Sequence, residues 1–156
     1  MDIKRRKILQ VSGGMSVLTL AGAAGLVKPE EALAQEWNKA AFDTKNLADT
    51  MKTLGGSGSA ESKEIQITGP EIAENGALVP VSVESRLPKT QTIAIILEKN
   101  PTPLSAIFDI PDGTDPFVST RLKLAESSKV YALVKADGKY FHAAKEVKVT
   151  LGGCGG

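Results

Sequence analysis

An all-β sandwich is the fold class this sequence predicts. Three observations predict it: apolar and polar residues alternate with period two from Glu64 to Leu151, the alternating runs are short and rich in Val, Ile and Thr, and clusters of Gly, Pro, Asn and Asp separate them.

The chain opens differently. Lys4 to Gln10 reads KRRKILQ, a weakly hydrophobic run follows from Val11 to Val27, and Ala32-Leu33-Ala34 supplies an A-x-A cleavage site. Residues 1–34 therefore read as an export signal, cut after Ala34. The pair Arg5-Arg6, followed by Ile8 and Leu9, resembles a twin-arginine leader, a route for proteins that are already folded. Lys4 and Ile8 depart from the usual serine and phenylalanine of that motif. Periplasmic localisation follows, with no membrane anchor after cleavage.

Residues 35–63 read as a helix and a linker. From Glu36 to Leu54, Trp37, Ala41, Leu47, Met51 and Leu54 fall near one helical face; Asp43 is placed to cap an inner start, and Gly55-Gly56 to stop the helix. The segment GGSGSAESK from Gly55 to Lys63 has linker composition.

Seven strands are predicted within 64–151: Glu64–Thr68, Leu78–Ser85, Thr92–Glu98, Leu104–Ile110, Phe117–Leu124, Lys129–Lys135 and Tyr140–Leu151. Val79, Val81 and Val83 alternate with polar neighbours, and Leu122 and Leu124 with Arg121 and Lys123. The separators carry turn chemistry: Glu74-Asn75-Gly76, Asn100-Pro101-Thr102-Pro103, Pro111-Asp112-Gly113 and Asp137-Gly138. The last is the clearest two-residue hairpin signal in the chain. About seven short strands at spacings of roughly 10 to 15 residues make the expected architecture an immunoglobulin-like antiparallel sandwich, without the Cys…Trp…Cys core of antibody domains.

The chemistry of sites is sparse. His142 is the one histidine and Cys154 the one cysteine, so neither a histidine zinc cage nor a C-x-x-C site can form. No metal site and no catalytic residue is expected. The sequence holds no G-x-S-x-G elbow, no phosphate loop and no G-x-G-x-x-G after a strand. A lone histidine on a strand is most simply a packed or surface residue. Glu71, Glu74 and Asp112 sit beside turns, where carboxylates are usually solvated or capping. Of 19 basic and 18 acidic residues, five and three lie within 1–34, so the remainder is slightly acidic and carries no basic stripe for nucleic acid.

The last five residues, Gly152, Gly153, Cys154, Gly155 and Gly156, cannot pack into a core, because glycine has nothing to bury and loses the most freedom on ordering. No Lys, Arg or His lies within three residues of Cys154. An ordinary thiol with pKa near 8.5 is only about 3% thiolate at pH 7, so activation must come from elsewhere. Five extended residues reach at most about 17 Å. A thin, flexible thread bearing one thiol suits a covalent carrier arm that enters the channels of other enzymes. A sandwich adaptor whose thiol forms an intermolecular disulfide is the alternative; it gives no reason for four flanking glycines. A self-contained thiol enzyme would need Cys154 held rigidly against His142.

The sequence also resembles a known family, the SoxY sulfur carriers of the bacterial Sox thiosulfate-oxidising system. The resemblance is carried by VKVTLGGCGG (Val147 to Gly156), ITGPEIAENGALVPVSVES (Ile67 to Ser85), EKNPTPL (Glu98 to Leu104), STRLKLAESS (Ser119 to Ser128) and ADGK (Ala136 to Lys139), together with the leader. It implies that Cys154 bears substrate sulfur covalently, with no permanently bound cofactor, on a subunit that pairs with SoxZ. It further implies three visiting enzymes. Haem-containing SoxAX would conjugate thiosulfate to the thiol as an S-thiosulfonate, dimanganese SoxB would release sulfate and leave a persulfide, and SoxCD, where present, would oxidise the outer sulfur.

Overall fold

The computed structural model describes residues 38–151. Each of the seven predicted runs forms a strand, and two short strands join them. In chain order the elements are α1 (Lys39–Phe42), α2 (Leu47–Thr53), β1 (Ala60–Glu61), β2 (Ile65–Thr68), β3 (Ile72–Asn75), β4 (Val79–Ser85), β5 (Thr90–Leu97), β6 (Leu104–Asp109), β7 (Phe117–Leu122), β8 (Ser128–Ala136) and β9 (Lys139–Leu151). One sheet has the order β1-β9-β8-β5-β6, with β3 also paired to β9, and the other has the order β2-β4-β7. The expected sandwich is thus present.

Alternation explains the core. Val79, Val81 and Val83 of β4, Val118 and Leu122 of β7, and Ile65 of β2 face Ile93, Ile95 and Leu97 of β5 and Val130, Ala132 and Val134 of β8. The polar residues between them point away. β5 breaks the alternation: Ile93 to Leu97 are all buried. A continuous apolar strand must be covered on both faces. The second cover is helical. Ala41, Phe42, Leu47, Met51 and Leu54 pack on Ala94, Ile96, Leu104 and Leu133, the outward side of the larger sheet.

The single helix expected from Glu36 to Leu54 is instead two short ones. Ala41 and Leu47 are six residues apart, which places them out of phase on one continuous helix, and residues 43–46 absorb the slip. Asn46, extended at φ −146° and ψ 160°, caps α2 by accepting from the Asp49 amide at 2.8 Å. Asp43, expected to cap an inner start, closes α1 as its C-cap. Trp37 lies outside the described residues.

Gly55-Gly56 stop α2 as expected. The Gly56 amide donates to Met51 O and the Gly55 amide to Lys52 O, with Gly55 at φ +83°, the Schellman arrangement. The segment expected to be a linker is held more firmly than its composition suggests. Gly56 is buried against Leu133. Ala60–Glu61 pair in parallel with Phe141 and His142, and the Ser62 amide donates to His142 O.

The Asp137-Gly138 hairpin forms between β8 and β9, and both residues have positive φ (48° and 74°), the type I′ turn that suits strand twist.

Candidate functional site

Cys154 and its flanking glycines, Gly152, Gly153, Gly155 and Gly156, lie outside the described residues. The structure does define the root from which that segment leaves. β9 ends at Leu151, paired in parallel with Asn75 at the end of β3, while Ile72 pairs with Lys148 and Ala73 with Val149. Three further bonds fasten the strand end: the Lys148 amide donates to Glu71 O at 2.9 Å, the Val149 amide to Ser127 Oγ at 2.8 Å, and Thr150 Oγ1 to Glu74 O at 2.8 Å.

The neighbouring loops are tied in turn. Asn75 Oδ1 accepts from the Ala77 amide at 2.8 Å, closing an Asx turn, and the Leu124 amide donates to Gly76 O at 2.7 Å. Asn100 bridges to the next loop, donating from Nδ2 to Lys123 O at 2.8 Å and accepting from the Ala125 amide at 3.0 Å. The turn residues of ENG and NPTP therefore build a hydrogen-bonded end to the sandwich, with the last strand anchored in it.

His142 lies elsewhere. It is half-buried on the outward face of β9, with Nδ1 2.9 Å from Ser59 Oγ and its ring 6.5 Å from that of Tyr131. It pins the 55–62 segment to the sheet. Nine residues of extended strand separate it from Leu151, roughly 30 Å. Cys154 is three residues beyond Leu151 and so stays within about 11 Å of it. By chain length alone, a contact between Cys154 and His142 of the same chain is out of reach.

The carboxylates beside turns stay apart. Glu71, Glu74 and Asp112 are exposed, and Glu71 and Glu74 serve β9 through their backbone carbonyls. Among the described residues, no group of three or more His, Cys, Asp or Glu side chains converges as a metal site would require, and no helix is long and apolar enough to cross a membrane. An open depression of about 310 Å³ is lined by Gly55, Gly58, Ala60, Lys139, Tyr140 and Phe141, with Lys135 Nζ 5.9 Å from the Tyr140 ring centroid. It lies beside the helical layer, near the opposite end of β9 from Leu151.

The family model described as sulfur oxidation protein SoxY matches residues 50–154, from within α2 through the sole cysteine. The chain belongs to the SoxY family. Among solved structures it is similar to the sulfur carrier protein SoxY from Chlorobium limicola f thiosulfatophilum, with 41% identity and a TM-score of 0.63, over 72% of this chain and 97% of that one. A superoxide reductase (neelaredoxin) from Ignicoccus hospitalis matches at 22% identity and a TM-score of 0.49, over 55% of this chain and 79% of that one, a likeness too slight to bear on function. No curated protein matches. Helix α1 precedes the SoxY match, whereas every strand falls inside it.

Proposed function

We propose that this SoxY-family chain is a periplasmic sulfur carrier, in which Cys154 bears thiosulfate-derived groups and presents them to separate enzymes. The observation that carries the reading is the family match, which runs through the anchored end of β9 and on to Cys154. Residues 1–34 act as the twin-arginine signal, 64–151 as the carrier domain, and 152–156 as a swinging arm. The chain has no catalytic centre and no resident cofactor of its own.

The chemistry suits a thiol. Conjugating thiosulfate to Cys154 is a two-electron oxidation that breaks the S–H bond, releases its proton and forms a sulfur–sulfur bond; the haem of the conjugating enzyme would supply the acceptor for the two electrons. Hydrolysis then releases sulfate and leaves a persulfide. Such sulfur–sulfur links are reversible, unlike sulfinic or sulfonic products, so the thiol can be regenerated. SoxZ is the stable partner; SoxAX, SoxB and, where present, SoxCD are the visitors. A rigid root with a narrow tether lets one thiol enter several different channels, and each enzyme supplies the activation that the arm lacks.

Intact mass spectrometry of the chain purified from thiosulfate-grown cells tests this directly. Additions of one sulfur atom or of a thiosulfate moiety are expected, and Cys154→Ser should remove them and abolish thiosulfate turnover while leaving the melting temperature unchanged. Additions that survive in Cys154→Ser, or disulfide-linked dimers as the sole modification, would overturn the carrier reading.

A further inference from the structure

A strand at the edge of a sheet presents a row of unpaired N–H and C=O groups, and folded proteins blunt such edges with brevity, charge or a cover. Most edges of this sandwich are blunted. β1 has two residues, β2 and β3 have four each, and β7 carries Arg121 within the strand. The exception is β6. It pairs with β5 and, among the described residues, with nothing on its other side. Its six residues, LSAIFD, hold no charge before Asp109, and Ser105 to Phe108 are only half-buried. The bulge at Ser105 disturbs the start of the strand, whereas Ala106 to Asp109 run in unbroken register with β5.

The hydrogen-bond phase shows which groups are free. The Ile110 amide donates to Gln91 O at 2.8 Å, so Ile110 and Phe108 turn their backbone groups toward β5. Ile107 and Asp109, of the opposite phase, turn theirs outward, where no described backbone group meets them. We propose that this edge pairs antiparallel with β6 of a second copy of the chain, about a twofold axis at Ile107, joining the two larger sheets edge to edge. The occupant is chosen by self-complementarity, which a twofold contact requires. In this register Ile107 meets Ile107, the large Phe108 meets the small Ala106, and Asp109 meets the neutral Ser105. Parallel pairing in register would instead stack Asp109 on Asp109, an arrangement that like charges disfavour.

The pairing goes beyond the carrier reading and bears on it. β6 and β9 lie on opposite sides of the larger sheet, separated by β5 and β8. Across the joined sheets the two β9 strands are seven strand spacings apart, three in each copy and one at the axis, or roughly 34 Å. Each Cys154 stays within about 11 Å of its own Leu151. Two copies joined through β6 therefore keep their thiols out of reach of each other, and a disulfide between them cannot be what holds the pair.

The test uses the Cys154→Ser chain together with its stable partner subunit, so that no disulfide forms, with mass followed by analytical ultracentrifugation across the micromolar range. The mass should double with a midpoint on the order of 10–100 µM, the range of a small, reversible interface. Ile107→Lys sets two ammonium groups opposite each other at the axis and should raise that midpoint at least about tenfold. Ser119→Lys, on the exposed face of β7, should leave it unchanged. Ile107 also packs beneath the helices, so hydrogen exchange in the unsubstituted edge gives a second measurement: the Ile107 and Asp109 amides should exchange at least about tenfold more slowly at the concentrated end than at the dilute end.

A single mass at every concentration would overturn the pairing. So would a doubling that Ile107→Lys leaves intact, or exchange at the two amides that does not depend on concentration, since association would then use another surface. Loss of co-purification with the partner subunit in a folded Ile107→Lys chain would assign β6 to that partner and overturn it as well. If Ile107→Lys does not fold, the exchange result decides alone. None of these outcomes touches the carrier reading, which the mass of the Cys154 adduct tests separately.

Discussion

Gly56 is set against the sheet so closely that a Cβ there would meet Leu133 Cδ2 at 2.6 Å and Cδ1 at 2.7 Å. Leu133 is 2% exposed and packed beneath the helices, so it has little room to yield. Gly58, two residues on, has nothing within 4 Å of its would-be Cβ. The two glycines look alike in the sequence, and the packing separates them. Gly56→Ala should cost roughly 1–3 kcal/mol through overpacking, whereas Gly58→Ala should be neutral. Thermal denaturation checks the pair: a fall of several degrees is expected for Gly56→Ala alone, and equal melting temperatures would contradict the close contact. The stop signal at Gly55-Gly56 was legible because helix ends are local. The contact with Leu133 was not, because it joins residues far apart in the chain.

At the level of elements, the break between α1 and α2 is maintained by hydroxyl groups. Thr50 is fully buried; its Oγ1 lies 2.8 Å from Asn46 O and 2.6 Å from Thr44 Oγ1, which lies 2.7 Å from Ala41 O, so that the two hydroxyl protons are shared among three contacts. Two hydroxyls thus stitch the end of α1 to the start of α2. Thr50→Val keeps the shape and removes the stitch, leaving Thr44 with one partner fewer in a half-buried place. A loss of about 1–2 kcal/mol is expected, measured by urea unfolding with an unchanged slope; an unchanged midpoint would show that packing alone holds the pair. The strands were legible from alternation and turn residues, as was the Asp137-Gly138 hairpin. β1 and β3 were not, since two to four residues carry too little periodicity and their parallel pairing with β9 depends on where the chain returns. Bulges are equally silent in the sequence. β5 pairs Ile95 with Ala106 but Ile96 with Leu104, and the skipped Ser105 shifts the phase of β6 so that Leu104 and Ile107, three residues apart, both face the helices.

For the whole molecule, the consequence is a sheet that needs two covers. The inner cover is the β2-β4-β7 sheet, and the outer cover is the helical pair over Ala94, Ile96, Leu104 and Leu133. Removing residues 38–54 should leave the sandwich strands formed but expose that apolar face. Increased binding of the dye ANS and self-association are expected, with far-UV circular dichroism still dominated by β structure. A truncated chain that stays monomeric and binds no dye would mean the helical pair is dispensable. At the end of β9 the strand itself is fastened instead, by β3 and by Ser127, nine residues along the strand from His142.

By itself the sequence determined what is local or compositional: the strand runs and their turns, the helix stop, the sole cysteine among glycines, and the SoxY resemblance. Tertiary structure alone decided which faces are covered, that the apparent linker is fastened to β9, and that β3 braces the strand leading to Cys154. The reason is physical: periodicity and turn chemistry act over a few residues, whereas burial and strand partnership depend on segments tens of residues apart meeting in space.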